Sequence, residues 1–407
     1  MPSLKQELPL NFTHEDWRNK KFLNSNATIR IGTLFSGIGA VEHALKRLNL
    51  NTKIMFACDN DPFVEKSYLA NYEIDKKNFY RDVDQTCLNA QKYKYKIDLL
   101  VGGSPCQSFS AIGARKGFED TRGTLFYDFA RVISECRPKI FIFENVKGLL
   151  SHDQGKTWAR VQEVFEKDLG YHLSSEILNS KHFGVPQNRN RIFVVGFRKA
   201  KWRNEFKMPT KIPLKTSMQD YLEDFVESKY FLKEKGVKFV TTLKNQQKSY
   251  TQINGSVALC QKANQQFNWH GDFIFKQAMQ KLKFDEQLFE INTIDNKYYL
   301  SEKVEDYVLK EGTKNFKIKA ETDLTVARPL LQSMHKMHRA GVDNYVTHSG
   351  KIRKLTPREC LRLMGFRDDF KIVVSDTQAY RQAGNSIVVD VLIALLKQID
   401  ITKFCKK

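Results

Sequence analysis

The sequence has few of the features that mark a secreted, disulfide-bonded or membrane-spanning protein. Its seven cysteines are an odd number and include no C-x-x-C pair, which argues against a disulfide framework or a zinc ribbon. No apolar stretch approaches the roughly 18 residues that a membrane helix needs, and the N-terminus lacks a charged segment followed by an apolar core. We therefore expect a protein of a reducing cytoplasm, with no secretory signal, no membrane span and no metal.

Acidic residues are also scarce. The 407 residues include 46 Asp and Glu against 66 Lys and Arg, a formal net charge of +20. This balance suits a polyanionic partner such as nucleic acid, although general solvation of the surface explains a net charge equally well. The hydrophobic content of 41% and charged content of 28% are ordinary for a folded soluble protein, and the length allows two or three domains.

The chain is organised around a cysteine that follows a short apolar run. Residues 97–101 are a leucine- and valine-rich segment that ends in two glycines, and Cys106 comes shortly afterwards. Such a run predicts a buried parallel strand that leads into a loop, and ligands bind at the carboxyl ends of these strands. Cys106 is thus a candidate nucleophile, with a cysteine packed as a small hydrophobic residue as the alternative.

The first strong elements predict a nucleotide-type βαβ unit. A strand over residues 29–35 leads into a glycine turn and then a helical pattern. The turn lacks the third glycine of G-x-G-x-x-G and has Glu42 there, and a carboxylate at a helix start would repel a pyrophosphate. Asp59, 20 residues after Gly39, suits a pair of ribose hydroxyls. A turn and an acid without a phosphate cradle favour S-adenosylmethionine over a nicotinamide cofactor, whose oxidoreductases are the alternative at the level of the fold.

Two further stretches carry polar groups that suit catalysis. The run over residues 139–143 predicts a strand that delivers Glu144 to the same sheet edge as Cys106. A carboxyl group directly after four apolar residues is either hydrogen-bonded or has a raised pKa, as a general acid requires. Arg189 and Arg191 alternate at the strand period, so both can project to one face and bind a carbonyl oxygen or a phosphate, although two surface arginines are the commoner case.

The composition changes near residue 201 and changes back near residue 346. The intervening residues 201–345 have weak periodicity, frequent lysines and a cluster of amides and aromatics, which predicts a separate domain of short strands and loops. After it, Thr356-Pro357-Arg358-Glu359 is a capping box whose helix stops at Gly365, and Gly384-Asn385-Ser386 precedes a helix predicted over residues 387–399. The predicted units are an extension (1–28), a first part that would bind the cofactor and carry catalysis (29–200), a separate domain whose amides and cations would suit target recognition at base edges (201–345), and a return to the first part (346–407).

Six short motifs in one order give the chain a specific resemblance. Together they resemble the DNA cytosine-5 methyltransferase family, in its bacterial restriction-modification form, over residues 29–200 and 346–407. The motifs are LFSGIG (34–39), PCQ (105–107), ENV (144–146), Q-x-R-x-R (187–191), R-x-LTPREC (353–360) and GNS (384–386).

The resemblance implies a fold and a mechanism. The expected fold is α/β, a Rossmann-like S-adenosylmethionine-dependent methyltransferase sheet with helices on both faces, plus a smaller irregular recognition domain rich in strands and loops. Cys106 would add to C6 of a flipped-out cytosine, Glu144 would protonate N3, Arg191 would hold O2, and Arg189 would support the site. The cofactor shell implied by the resemblance is Phe35, Gly37, Ile38, Gly39, Asp59, Asn60, Asp82, Leu125, Asn385 and Ser386, and the DNA contacts are Gln107, Ser110, Arg122 and residues 201–345.

Some details stay open at the level of the sequence. Several family members carry an aromatic residue where this chain has Asn60, so adenine stacking would fall to Phe35 and Ile38. On spacing alone, Asp82 either faces the adenine or caps a helix. The residues 108–123 contain glycines and cations and predict either a loop that closes over the DNA backbone or a solvated connection.

The expected partner is double-stranded DNA, bound by a monomer at the bacterial nucleoid in the cytoplasm. Whether a cognate restriction endonuclease shares the target site is open. A cytosine-5 methyltransferase that acts on transfer RNA is one alternative. Family members of that kind tend to have a small recognition region, whereas the corresponding region here, residues 201–345, is large. A catalytically inactive DNA-binding protein is the other, and a mere binder has no need of Cys106, Glu144, Arg189 and Arg191 together.

Overall fold

The fold is centred on one twisted sheet. A computed structural model describes residues 16–104, 125–223, 251–253, 271–273, 324–332, 344–348, 351–354 and 356–405. The seven strands are β1 (Ile29–Leu34), β2 (Thr52–Cys58), β3 (Phe79–Tyr80), β4 (Leu99–Gly102), β5 (Ile140–Val146), β6 (His172–Asn179) and β7 (Asn190–Phe197). They lie in the order β3-β2-β1-β4-β5-β7-β6. Neighbours from β3 to β5 pair in parallel, whereas β7 runs antiparallel to both β5 and β6.

The described structure also has two short strand pairs, eight α-helices and several single turns of 3-10 or π-helix. The pairs are β8 (Thr251–Ile253) with β9 (Gly271–Phe273) and β10 (Tyr345–His348) with β11 (Lys351–Lys354). The helices are α1 (Ala40–Arg47), α2 (Pro62–Asn71), α3 (Leu125–Cys136), α4 (Lys156–Glu163), α5 (Ala200–Asn204), α6 (Pro357–Leu363), α7 (Asp376–Asn385) and α8 (Val389–Ile399).

The central strands bury side chains on both faces, which explains why they are continuous apolar runs. In β4, Leu99 and Val101 join the core formed with α1, α6 and α8. Leu100 instead joins Phe141 and Phe143 of β5 in the core formed with α3 and α4. Helices therefore cover both faces of the sheet, and the predicted α/β fold is confirmed.

The register of β4 and β5 sets the position of the site. Gly102 pairs with Phe143, so the loop after β4 leaves the sheet beside the residue that follows Phe143, which is Glu144. Strand β5 continues to Val146, three residues beyond the predicted end at 143, because Val146 still pairs with Arg191 of β7. The reversed strand β7 thereby brings Arg191 to the same edge as Glu144.

The C-terminal helices α6 and α8 share one hydrophobic core with Ile29 and Ile31 of β1. The predicted capping box is present, since Glu359 N donates to Thr356 Oγ1 at 3.2 Å and Thr356 N donates to Glu359 Oε2 at 2.8 Å. The helix ends before Gly365, whose φ is +84°. Residues 376–399 are long and apolar enough to cross a membrane by length and composition, but 72% of the most apolar window is buried inside the protein.

The predicted start of the final helix is wrong. Gly384 and Asn385 end helix α7, and Ser386 has an extended backbone with ψ of 157°, so the final helix begins at Val389 and not at residue 387. Helix α7 was absent from the sequence-based interpretation because it is mostly polar and has little apolar periodicity. The GNS motif therefore lies at the corner between two helices.

The described end of the predicted N-terminal extension packs against the rest of the protein. Trp17 is buried, and its Nε1 donates to the carbonyl of Thr210 at 3.0 Å. Lys397 of α8 donates to the carbonyl of Arg18 at 2.6 Å. The boundaries of the predicted recognition domain stay a prediction, because most of that region lies outside the described residues.

Candidate active site

Glu144 and Arg191 form an ion pair at the carboxyl edge of the sheet. Arg191 Nε lies 3.1 Å from Glu144 Oε1, and the side chains are 19% and 13% exposed. Burial raises the pKa of Glu144, and the positive charges of Arg191 and Arg189 oppose that rise. A carboxyl group with a raised pKa beside a cation can hold a proton and then lose it while remaining paired.

The loop that carries Cys106 begins directly against Glu144. Asn145 Nδ2 donates to the carbonyl of Ser104 at 2.8 Å, which ties the start of this loop to β5. A Cβ built on Gly103 would lie 2.5 Å from the backbone oxygen of Glu144 and 3.0 Å from its Oε2. The second glycine is therefore needed so that the loop can pass over Glu144.

The predicted nucleophile and DNA contacts fall within one span that the structure leaves out. Cys106, Gln107, Ser110 and Arg122 lie outside the described residues. Their placement stays a prediction, supported by where the loop starts at Ser104.

Arg189 and Arg191 make different contacts beside Glu144. Arg189 precedes β7 and is 4% exposed. Its Nη1 donates to Leu330 O at 3.0 Å, and its Nη2 donates to Gly384 O at 3.1 Å and Ser386 O at 2.9 Å. Arg189 thus holds the corner after α7 beside β7, whereas Arg191 forms the ion pair with Glu144. The charges of both arginines act on Glu144, and their projection to one face stays a prediction.

Gln187 is a site residue that sequence reasoning did not single out by itself. It is fully buried, its Nε2 donates to Leu363 O at 2.7 Å, and its Oε1 accepts from Leu330 N at 3.1 Å. Two residues of the Q-x-R-x-R motif, Gln187 and Arg189, therefore join segments that are distant in sequence, and their only visible signal was the motif.

The glycine turn after β1 is held by the acid that follows β2. Gly37 N donates to Asp59 Oδ2 at 2.9 Å, and Asp61 N donates to Oδ1 at 3.1 Å. Burial raises the pKa of Asp59, while these two hydrogen bonds act in the opposite direction. Phe35 and Gly37 both have positive φ, at 52° and 51°, so the turn is sharply folded. Each oxygen of Asp59 keeps a lone pair, which suits two vicinal hydroxyl groups.

The other residues of the predicted cofactor shell have mixed placements. Ile38 is 1% exposed and packs in the core on the α8 side, so adenine stacking by Ile38 is not supported and falls to Phe35. Asp82 caps no helix; it is exposed and its Oδ1 accepts from Asp84 N at 3.1 Å. Asn60 is exposed, Gly39 and Ser386 are buried, Leu125 is half-buried at the start of α3, and Asn385 is exposed with Nδ2 3.3 Å from Gln332 Oε1.

Comparison with known protein families decides the assignment of this site. Residues 29–400 match the family model described as C-5 cytosine-specific DNA methylase. The chain belongs to the C-5 cytosine-specific DNA methylases. It is therefore a DNA cytosine-5 methyltransferase, and the predicted family, fold class and enzyme class are confirmed.

Similar proteins of known type cover most of this methylase. Type II methyltransferase M.SsoII of Shigella sonnei is 35% identical, with 92% of this chain and 81% of that protein aligned. Type II methyltransferase M.HpaII of Haemophilus parainfluenzae is 34% identical, with 90% and 87% aligned. Orphan methyltransferase M.SPRI of Bacillus phage SPR is 30% identical, with 91% and 97% aligned.

Solved structures support the fold of the methylase. A Dnmt2 methyltransferase of S. pombe aligns with a TM-score of 0.54 at 17% identity, covering 91% of this chain and 98% of that one. A prophage-encoded putative DNA modification methyltransferase of E. coli aligns with a TM-score of 0.56 at 20% identity, covering 91% and 98%. At these identities the likeness establishes the fold alone.

The close approach of Gly103 to Glu144 predicts a mutational effect on the methylase. We expect Gly103→Ala to lower the single-turnover methylation rate by about 10²-fold, because the new methyl group must displace Glu144. Gly148→Ala is a matched control, since a Cβ there meets nothing closer than 3.8 Å. A wild-type rate for Gly103→Ala would contradict the inferred packing.

Proposed function

We propose that this chain is a sequence-specific modification methyltransferase that acts on a flipped-out cytosine in double-stranded DNA. The observation that carries the proposal is the Arg191–Glu144 pair, 3.1 Å apart, beside the tethered start of the Cys106 loop. A cation and a protonated carboxyl side by side match the carbonyl O2 and the ring N3 on one edge of cytosine. The ring face must be reached, so the base leaves the duplex at a cost of a few kcal/mol.

C5 of cytosine is too weak a nucleophile to take a methyl group directly, and the proposed residue roles follow from this. The Cys106 thiolate bonds to C6, and Glu144 gives its proton to N3, so that C5 gains the electron density it needs. Arg191 holds O2 throughout. After C5 is methylated, a base removes the C5 proton, the C6–S bond breaks to release the Cys106 thiolate, and N3 returns its proton to Glu144.

The residues at the glycine turn fit S-adenosylmethionine. Asp59 presents two oxygens beside a sharply folded turn, and the side chain of Phe35 stays half exposed there. When bound, S-adenosylmethionine supplies an electrophilic methyl group. Asp59 would bind its ribose hydroxyls, Phe35 its adenine, and the corner at Asn385 and Ser386 would close the other side. We propose that Arg189 keeps this corner next to the cytosine pocket through its bonds to Gly384 and Ser386.

The biological setting is proposed from the relatives. Their names include Type II and orphan methyltransferases, so the chain would modify DNA either with a cognate endonuclease or alone. We propose that it works as a monomer in the bacterial cytoplasm. The net charge of +20 supports a polyanionic substrate.

The proposal is tested by methylation with the purified full chain. The protein is incubated with S-adenosylmethionine and either mixed-sequence duplex DNA or an RNA transcript of the same sequence, and 5-methylcytosine is mapped. We expect methylated cytosines in DNA within one recurring sequence context. Methylation of the transcript alone, or of DNA without any common context, would contradict the proposal.

A further inference from the structure

A carboxyl group is buried beneath the glycine turn and does not contact the proposed cofactor site. Glu42 lies in the first turn of α1 and is 4% exposed. Its Oε1 accepts from Tyr68 Oη at 2.5 Å and from Thr33 Oγ1 at 3.2 Å. Its Oε2 has no hydrogen-bond partner within the described part of the chain. The carboxyl group thus points inward, whereas the sequence analysis treated it as a charge that would repel a pyrophosphate at the helix start.

The hydrogen bonds of Glu42 continue into the turn. Thr33 Oγ1 lies 2.8 Å from Ser36 Oγ. Ser36 is the residue between Phe35 and Gly37. Ser36 Oγ accepts from Cys58 N at 2.9 Å at the end of β2. The next residues on each side, Gly37 and Asp59, are themselves hydrogen-bonded. One connected path therefore runs from Glu42 to Asp59.

Tyr68 of helix α2 and Tyr72, which directly follows this helix, support the turn at two points. Tyr68 is fully buried and reaches the turn through Glu42. Tyr72 donates directly to the carbonyl of Gly39 at 2.8 Å. A Cβ on Gly39 would lie 2.2 Å from the Tyr72 ring, so the ring fills the space under the turn. Tyr72 thus bonds the turn directly, whereas the contact between Tyr68 and the turn runs through Glu42.

The surroundings of Glu42 favour its neutral form. Its two partners are hydroxyl groups, and among the ion pairs of the described residues none involves Glu42. A buried carboxylate without a cation is costly, and burial raises the pKa of Glu42. Glutamine has the same shape as a neutral glutamic acid. Its amide has two donor hydrogens, one more than the protonated carboxyl group.

We propose that Glu42 is a positioning residue for the methyl donor, acting through Thr33 and Ser36 to hold the glycine turn in its binding shape. Glu42 touches neither the donor nor the base. The inference rests on the proposed function, because it takes this turn to be where S-adenosylmethionine binds. Loss of the buried hydroxyl-to-carboxyl path would let Ser36 and Gly37 relax away from Asp59.

The test compares Glu42→Leu with Glu42→Gln in the full-length protein. The dissociation constant for S-adenosylmethionine is measured by titration calorimetry, and KM and kcat are measured at saturating DNA. We expect Glu42→Leu to raise the dissociation constant and KM about tenfold or more with kcat within about threefold of wild type. Glu42→Gln is expected to stay within about threefold for all three, because the amide keeps both acceptor bonds.

His43→Leu controls for stability. His43 is the next residue on α1 and is buried, but its Nε2 accepts from Arg367 N at 3.0 Å, on the side away from the turn. We expect this variant to lower the melting temperature as Glu42→Leu does and to leave the dissociation constant unchanged. A folded Glu42→Leu that binds the donor as wild type does, or a Glu42→Gln as weak as Glu42→Leu, would overturn the inference.

The proposed function fails in a different way. If wild type itself does not bind S-adenosylmethionine, the cofactor assignment falls, and the inference about Glu42 falls with it. If wild type binds and all Glu42 variants bind equally, only the inference falls.

Discussion

Replacement of Glu144 with glutamine is expected to lower the single-turnover methylation rate by about 10²- to 10⁴-fold, the range that a general acid contributes. Glutamine keeps the volume of the side chain and can donate a hydrogen bond to N3, but it cannot give up a proton there. DNA affinity is expected to stay within a few-fold of wild type. Arg191 loses its charged partner, which lies 3.1 Å away, and remains free to bind O2.

The pH dependence of the methylation rate is also expected to change in Glu144→Gln. Burial raises the pKa of Glu144, so its protonated form is present below that pKa and is lost as the pH rises through it. The thiolate of Cys106 has the opposite dependence. We therefore expect the wild-type rate to rise and then fall with pH, and the fall at alkaline pH to be missing in Glu144→Gln.

Glu176→Gln is the matched control, because Glu176 is an exposed acid on strand β6, which β7 separates from the strand of Glu144. It is expected to have the wild-type rate and the wild-type pH profile. A Glu144→Gln rate within tenfold of wild type, or an unchanged alkaline fall, would mean that Glu144 does not protonate the base.

The sequence predicted the sheet well because buried parallel strands are apolar on both faces. Leu99 to Val101 and Ile140 to Phe143 were visible as strands for this reason, and their parallel pairing placed Glu144 at the edge where the Cys106 loop begins. The direction of β7 was not visible, because an apolar run has the same pattern in either direction. That reversed strand is what brings Arg191 to Glu144.

The contacts that the sequence did not reveal are those whose partners are distant along the chain. Arg189 was selected by its alternation with Arg191, but its acceptors lie 141 to 197 residues away, at Leu330, Gly384 and Ser386. Glu42 was interpreted as a charge that would repel a pyrophosphate, whereas its hydroxyl partner Tyr68 lies 26 residues away on α2. Spacing and periodicity describe a residue's own element and contain no information about which other element packs against it.

Covalent trapping is expected to identify Cys106, and no other thiol of the chain, as the nucleophile. Fluorine at C5 of cytosine cannot leave as a proton does, so the bond between sulfur and C6 persists after methylation. We expect wild type to form an adduct with S-adenosylmethionine and a duplex containing 5-fluorocytosine, visible as a mass increase of the protein. Cys106→Ser is expected to form none and to lose turnover by about 10⁴-fold or more, as when a covalent nucleophile is removed.

Cys87→Ser provides the control for non-specific thiol chemistry. Cys87 is an exposed free cysteine on the same domain, whereas burial raises the pKa of Cys58 and Cys136 and keeps those thiols unreactive. Because Cys87 lies in the loop after β3, which β2, β1 and β4 separate from β5 in the sheet, its loss is expected to leave the adduct intact. An adduct that persists in Cys106→Ser but disappears in Cys87→Ser would move the nucleophile away from the Arg191–Glu144 pair. An adduct with 5-fluorocytosine in RNA and none in DNA would instead keep the chemistry and contradict the substrate.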